Sequence, residues 1–148
     1  DGKRHPLVDW SWTEKQAMDY CRARGYDWEG LYEIFENEKT GRARVSCWCC
    51  PLQPLEDLRK LRKHFPEKWE RLQRIDLKMR SQFAGSALAE FKPGQSVEDL
   101  DKRFALEDAL SDAGHSVTNR QFFTDLKRHL TGEVTVEQIL QEREIAEV

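Results

Sequence analysis

Four cysteines are the residues of this chain best suited to chemistry, and three of them fall within four positions. Cys47 and Cys50 are separated by two residues, and Cys49 adjoins Cys50. Two thiolates with this spacing can approach one ion from a tight turn, which is why the spacing recurs in zinc and iron–sulfur sites. The crowding does not resemble a disulfide framework. It predicts metal binding or redox chemistry in a reducing compartment, which we expect to be cytoplasmic.

One pair of thiolates supplies half of a four-ligand centre, so further ligands are needed. Cys49 and Cys21 would complete the set, with Cys21 brought in from an earlier predicted helix. Four thiolates fit a tetrahedral zinc ion, and they also fit a four-iron four-sulfur cluster, whose larger frame accepts adjacent residues more easily. The residues alone do not distinguish a zinc ion from an iron–sulfur cluster. They also leave open a helical scaffold without metal, in which the thiols are buried and act as small hydrophobes.

The middle of the chain is basic and its end is acidic. Residues 51–85 carry nine Lys or Arg against five Asp or Glu, whereas residues 86–148 carry seven against thirteen. A basic helix face can hold phosphate or sulfate, although most such faces are simply solvated. The candidates for anion binding are Arg59, Lys60, Arg62 and Lys63.

Capping residues and apolar spacing predict a mainly α protein, with several amphipathic helices around an irregular cysteine-rich loop. Ser, Thr and Asn accept hydrogen bonds from amides in the first turn of a helix, and Pro is favoured at a helix start. Predicted helix starts lie at Thr13, Pro54, Pro66, Ser96, Asn119 and Thr135. The residues from Tyr26 to Ser46 are expected to be irregular, with a charged loop from Glu36 to Arg44. No convincing pair of strands is present.

Helical spacing of apolar residues also predicts the core-facing positions. They are Leu55, Leu58 and Leu61 after Pro54; Trp69, Leu72, Ile75, Met79 and Phe83 after Pro66; Val97, Leu100 and Phe104 after Ser96; Phe122, Phe123, Leu126 and Leu130 after Asn119; and Val136, Ile139 and Leu140 after Thr135.

Several classes of protein are disfavoured by the sequence. No apolar run approaches the roughly 20 residues that a membrane helix needs, so no membrane partner is expected. The chain lacks a helical zinc-protease motif, a nucleophile elbow and a glycine-rich phosphate loop. Its histidines share no ligand spacing with the cysteines, and His64 is the nearest substitute ligand. The start at Asp1, without Met or an apolar signal, leads us to expect a segment cut from a longer protein.

The residues from Ser46 to Leu52, here called the cysteine string, belong to a longer series that resembles a known family. In order and rough spacing the series is Pro6-Leu7, Asp9-Trp10, Trp12-Thr13-Glu14, Tyr20, Gly25, Leu31-Tyr32 and Ser46-Cys47 to Cys50-Pro51. It resembles the segment that follows the nucleotide-binding core of phosphoadenosine-phosphosulfate (PAPS) reductase-like proteins. The string Ser46-Cys47-Trp48-Cys49-Cys50-Pro51-Leu52 is similar to the subgroup with a tryptophan inside the cysteine motif. The resemblance continues through Phe65-Pro66, Trp69 and Asp76, and more faintly through Ser96-Val97 to Phe104, so it covers roughly residues 6–104.

This resemblance implies a protein of the N-type ATP pyrophosphatase superfamily, which uses adenylated sulfur compounds or ATP in sulfur transfer or reduction. Such proteins bind the nucleotide on an α/β core through a Ser-Gly-Gly-x-Asp-Ser-type loop, which this sequence lacks. The resemblance therefore implies a nucleotide-binding α/β domain, before this segment in the parent protein or in another chain, and a sulfonucleotide substrate. This chain alone is expected to be inactive. In some members cysteines in this region hold a four-iron cluster, and the matching positions are Cys47 and Cys50, followed by Cys49 and Cys21.

The sequence also predicts two regions and is compatible with one alternative function. Residues 1–84 are predicted to form the cysteine-cluster region, and residues 85–148 a helical extension packed on the same domain. The alternative function is a non-enzymatic, metal-stapled helical module that binds nucleic acid through residues 54–80, or a protein partner. The acidic tail makes nucleic acid the less favoured partner.

Overall fold

The chain is mainly helical in the computed structural model, which describes residues 3–37, 40–41, 44–86 and 89–146. Within those residues it forms eight α-helices and no strand. The helices are α1 (Pro6–Asp9), α2 (Glu14–Arg22), α3 (Leu31–Ile34), α4 (Leu55–His64), α5 (Pro66–Gln82), α6 (Val97–Asp112), α7 (Arg120–Leu130) and α8 (Val136–Ala146). The predicted mainly α fold is confirmed. In the described ranges, no helix combines the length and the apolar composition needed to cross a membrane.

The helix starts follow the capping chemistry predicted from the sequence. Thr13 Oγ1 accepts a hydrogen bond from the Gln16 amide, and the Gln16 side chain accepts one from the Thr13 amide. Side-chain caps also begin α6, α7 and α8, at Ser96, Asn119 and Thr135. Amides in the first turn have no acceptor within the helix, so these side chains determine where each helix begins.

The chain forms two compact units, residues 1–47 and residues 48–148. The first contains α1 to α3, and the second contains α4 to α8. The boundary falls inside the cysteine string, between Cys47 and Trp48. Helices on both sides of residue 85 belong to the second unit, where α5 contacts α6. The division into regions 1–84 and 85–148 stays a prediction.

The first unit is held together mainly by contacts near its surface. Phe35 is the only buried hydrophobic residue among those that the structure describes in this unit. Trp12 meets Tyr20 edge-on, with ring centroids 5.1 Å apart. Arg22 Nη2 lies 2.7 Å from the Glu33 carboxylate and so links α2 to α3. A unit with so little buried apolar surface has a small hydrophobic contribution to its stability.

The segment from Tyr26 to Ser46 is less irregular than predicted. A 3₁₀ turn at Trp28–Gly30 leads directly into α3. Trp28 and Glu29 have φ angles of 51° and 53°, a conformation that residues other than glycine seldom adopt. The sequence does not predict this turn, because neither tryptophan nor glutamate favours a positive φ angle. Four residues of the predicted charged loop lie outside the described residues.

The second unit is built around α6, which contributes to both of its apolar clusters. The first cluster joins α4, α5 and the first half of α6, and its buried members are Leu58, Leu61, Trp69, Leu72, Val97, Leu100 and Phe104. The second cluster joins the rest of α6 to α7 and α8, and its buried members are Leu106, Leu110, Phe122, Leu126, Val134 and Ile139. Burying a side chain of this size contributes about 1.5–3 kcal/mol. The two clusters therefore form the main scaffold of the unit.

The inward face of α5 differs from the prediction after its first turns. Trp69 is buried as predicted, but Ile75 and Phe83 are exposed. Asp76 takes the inward position instead, with 4% of its surface exposed, and Arg80 donates to its carboxylate at 3.0 Å. The ion pair, one helical turn away, satisfies Oδ2 of Asp76, while Oδ1 is buried without a hydrogen-bond partner among the described residues. Apolar spacing alone does not reveal this arrangement.

Candidate functional site

All four cysteines lie at or near the surface. Cys47 and Cys49 are exposed, whereas Cys21, on α2, and Cys50 are half-buried. None of these four, all within the described residues, belongs to an apolar cluster or forms a disulfide. The burial of all four thiols that the metal-free scaffold requires is therefore wrong, and the presence of a metal stays a prediction. Thiols with this accessibility can react with a metal ion or an alkylating reagent from solvent.

The cysteines are divided between the two units. Cys21 and Cys47 belong to residues 1–47, and Cys49 and Cys50 belong to residues 48–148. In the part of the chain that the structure describes, no three or more Cys, His, Asp or Glu side chains are grouped as ligands of one metal ion. The donor atoms themselves suit zinc or an iron–sulfur cluster, because both prefer thiolates. The four-cysteine ligand set stays a prediction.

Trp48, inside the cysteine string, is anchored on the core of the second unit. Its half-buried ring packs against the cluster formed by α4, α5 and α6. Arg71 of α5 lies over the ring, with its guanidinium carbon 5.4 Å from the ring centroid. A cation so placed adds about 0.5–1 kcal/mol at an exposed site. The backbone next to Cys49 is therefore attached to the helical scaffold.

Lys92, in the segment before α6, binds the backbone that follows the last cysteine. Lys92 Nζ donates hydrogen bonds to the backbone carbonyls of Pro51 and Gln53, at 2.5 and 2.7 Å. The Gln53 amide donates in turn to the Cys50 carbonyl at 3.2 Å, which closes a turn after the last cysteine. Hydrogen bonds from a charged donor are stronger than neutral ones, so Lys92 restrains this backbone. The sequence does not predict this contact of Lys92. Pro93 and Gly94 indicate a turn, but nothing in the pattern indicates which atoms the lysine binds.

Lys92 is itself presented by a tight turn. Lys92 and Gln95 exchange two backbone hydrogen bonds of 3.0 and 2.9 Å. Between them Gly94 has a φ of 72°, which favours glycine. The next residue along the chain, Ser96, is the N-cap of α6. The turn thus connects the backbone after the cysteine string to the start of the central helix.

The two candidate anion-binding arginines face carboxylates of α6. Arg59 donates to both oxygens of Glu107, through Nε at 2.5 Å and Nη2 at 2.9 Å. Arg62 bridges two aspartates, with Nε 2.8 Å from Asp101 and Nη1 2.7 Å from Asp108. A phosphate or sulfate would have to displace these carboxylates from the two guanidinium groups.

The remaining basic residues of this face differ in their pairing. Lys60 lies 3.1 Å from the Glu56 carboxylate, on the same helix. Lys63 is exposed on the last turn of α4 and pairs with no carboxylate of the described chain. Most of the positive charge on α4 is thus balanced within the second unit, which disfavours a broad surface for nucleic acid. Anion binding at the four candidate residues stays a prediction.

Glu107 is buried between two arginines. Arg103 Nε donates to its carboxylate at 2.8 Å, in addition to Arg59. Burial opposes ionisation, but the hydrogen bonds and charges of Arg59 and Arg103 outweigh it and hold the pKa of Glu107 below its ordinary value of 4.5. The carboxylate is therefore ionised at neutral pH, and the cluster joins α4 to α6.

The histidines lie apart from any group of ligands in the described residues. His64 is exposed on the last turn of α4, and His5 is exposed directly before α1. His129 Nδ1 lies 3.1 Å from the carbonyl oxygen of Val134, a contact within the second unit.

Comparisons of the chain with models of protein families, with curated proteins and with solved structures found no match. Function is therefore inferred from the cysteine string and from the two contacts that anchor it.

Proposed function

We propose that this chain is the cysteine-bearing C-terminal portion of a PAPS reductase-like protein that transfers sulfur or reduces sulfonucleotides, and that its cysteine string holds a thiolate-ligated metal centre. The observation that carries the proposal is the exposure of Cys47 and Cys49 in a string anchored by Trp48 and Lys92. Ordering the backbone of one residue costs about 1–2 kcal/mol. A turn that is ordered and still presents thiols to solvent suits a ligand-binding role.

The residues of this chain would supply the ligands and their placement. The proposed ligands are the thiolates of Cys47, Cys49 and Cys50, with Cys21 as the fourth. When bound, a four-iron four-sulfur cluster or a zinc ion would offset the negative charge of the thiolates near an anionic sulfur substrate, or act as a structural staple. The nucleotide is proposed to bind to an α/β domain of the parent protein or of another chain, so the activity is proposed for that larger assembly.

A nucleic-acid-binding module has less support. Arg59 and Arg62 on α4 are engaged with three carboxylates of α6. Arg80 on α5 lies 3.0 Å from Asp76 and 3.3 Å from Glu98. Cations already paired in this way release few counterions from a phosphate backbone, so the electrostatic contribution to nucleic-acid binding would be small.

Metal analysis of anaerobically purified protein tests the proposal. We expect a broad brown absorbance with about four iron and four sulfide per chain, lost in the Cys47→Ser/Cys50→Ser variant. About one zinc per chain without colour would instead indicate a structural staple and favour the protein-binding module. A Cys21→Ser variant shows whether α2 contributes the fourth ligand. Absence of metal from the wild-type chain would contradict the proposed centre.

A further inference from the structure

We infer that Lys92 is a positioning residue for the cysteine centre. This inference rests on the proposed function and deepens it, because it assigns part of the site to a residue outside the cysteine string. Lys92 is half-buried, and its ammonium group contacts two carbonyl oxygens of one short stretch, those of Pro51 and Gln53.

The geometry of this contact restrains backbone atoms. An ammonium group has three donors and no acceptor, and two of its donors here are directed at main-chain oxygens. Pro51 directly follows the last cysteine, and the Gln53 amide bonds to the carbonyl of Cys50. Without Nζ, the oxygens of Pro51 and Gln53 would lose this charged donor.

Two anchors therefore flank Cys49 and Cys50 on the second unit. On one side Trp48 packs against the core, and on the other Lys92 binds the backbone after Cys50. Metal ligands must be held within about 0.5 Å of their productive positions, and supporting residues provide that restraint. Lys92 also connects the string to the turn that starts α6, so the start of α6 becomes part of the support of the site.

The test is the rate at which iodoacetamide alkylates each cysteine of the metal-free, full chain, followed by mass spectrometry. We expect Lys92→Met to raise the rate at half-buried Cys50 about three- to tenfold, because the turn opens more often without its donor. Lys92→Arg, which keeps a charged donor, should restore a rate close to wild type. Lys78→Met, at an exposed lysine of α5, is the matched control and should have no effect.

The alkylation rate of Cys21, in the first unit, distinguishes a local opening near Cys50 from a general loosening of the protein. An unchanged rate at Cys50 in Lys92→Met would overturn the inference. An equal rise at Cys21 and Cys50 would also overturn it, because it would indicate general loosening of the protein. The alkylation requires no metal, so its result is independent of the metal analysis: a wild-type chain without metal contradicts the proposed centre, whereas an unchanged Cys50 rate contradicts the role of Lys92.

Discussion

Arg59 donates two hydrogen bonds to Glu107, from Nε at 2.5 Å and from Nη2 at 2.9 Å. The Glu107 side chain is only 7% exposed, and Arg103 donates to the same carboxylate. The two partners of this pair are 48 positions apart in the chain. Helices α4 and α6 are therefore joined by a partly buried ion pair in addition to their shared apolar cluster.

The stability of the second unit should depend on the charge of Glu107. Its folded-state pKa lies below 4.5, so its contribution to stability is complete above the unfolded-state pKa and is lost as the pH falls through the folded value. We expect Glu107→Gln to lower the free energy of unfolding near neutral pH by about 1–3 kcal/mol. The variant should also lose less stability than the wild type below the ordinary pKa of 4.5.

Urea denaturation over a pH series measures both effects of Glu107→Gln. Glu70→Gln is the matched control, because Glu70 is exposed and its oxygen lies 3.9 Å from Arg74. Exposed pairs of this kind contribute about 0–1 kcal/mol. Stability curves of wild type and Glu107→Gln that run parallel at acid pH would contradict the assignment.

The buried ion pair of Asp125 and Arg143 should stabilise the packing of α7 on α8 more than the exposed pair of Arg128 and Glu142 does. Asp125 is 1% exposed and Arg143 is 10% exposed, and their closest contact is 2.8 Å. Asp125→Ala would leave the Arg143 charge without its carboxylate, so we expect a loss of about 3–5 kcal/mol in unfolding free energy. Glu142→Ala, which removes one of the two exposed carboxylates that pair with Arg128, should cost far less. Equal losses in the two variants, measured by urea denaturation, would argue against the burial of Asp125.

The N-cap of α6 should contribute measurably to stability. Ser96 Oγ accepts from the Asp99 amide at 3.0 Å, and Ser96 itself is 8% exposed. Ser96→Ala removes this acceptor, and we expect a loss of about 0.5–2 kcal/mol in unfolding free energy, whereas Ser96→Thr should retain most of it. Ser111→Ala, an exposed position near the end of the same helix, is the control. A Ser96→Ala variant as stable as the control would rule out the capping role.

Trp48 should stabilise the second unit more than Trp10 stabilises the first. Trp48 packs on the apolar cluster of α4, α5 and α6, whereas Trp10 is 63% exposed. We expect Trp48→Ala to lower the midpoint of thermal unfolding and to cost about 1–3 kcal/mol, with Trp48→Phe closer to wild type. Trp10→Ala should have a small effect. If the two alanine variants behaved alike, Trp48 could not be the anchor of the cysteine string.

Features determined by neighbouring residues were predictable from the sequence. Thr13 and Ser96 cap their helices because a side-chain acceptor three positions before an amide is sufficient, whatever the rest of the chain does. Pro66 begins α5 because its missing amide is not needed there. The spacing of Val97, Leu100 and Phe104 also predicted the buried face of α6 correctly.

Features that depend on distant pairing were not predictable. The basic face of α4 suggested a solvated or anion-binding surface, yet Arg62 pairs with Asp101, 39 positions later. Lys92 reaches the Gln53 carbonyl across the same separation. A lysine or arginine can pair with many different acceptors, so the packing of the helices selects its partner. The exposure of the thiols likewise depended on where the string meets the core, which helical spacing does not determine.

X-ray absorption at the metal edge of anaerobically purified protein tests the cysteine centre most directly. We expect a first coordination shell made only of sulfur, with about four sulfur atoms per metal, at about 2.3 Å if the metal is zinc. In the Cys47→Ser/Cys50→Ser variant the shell should gain oxygen or the metal should be absent. A wild-type shell of nitrogen and oxygen, or a chain without metal, would contradict the proposal that these cysteines hold a metal.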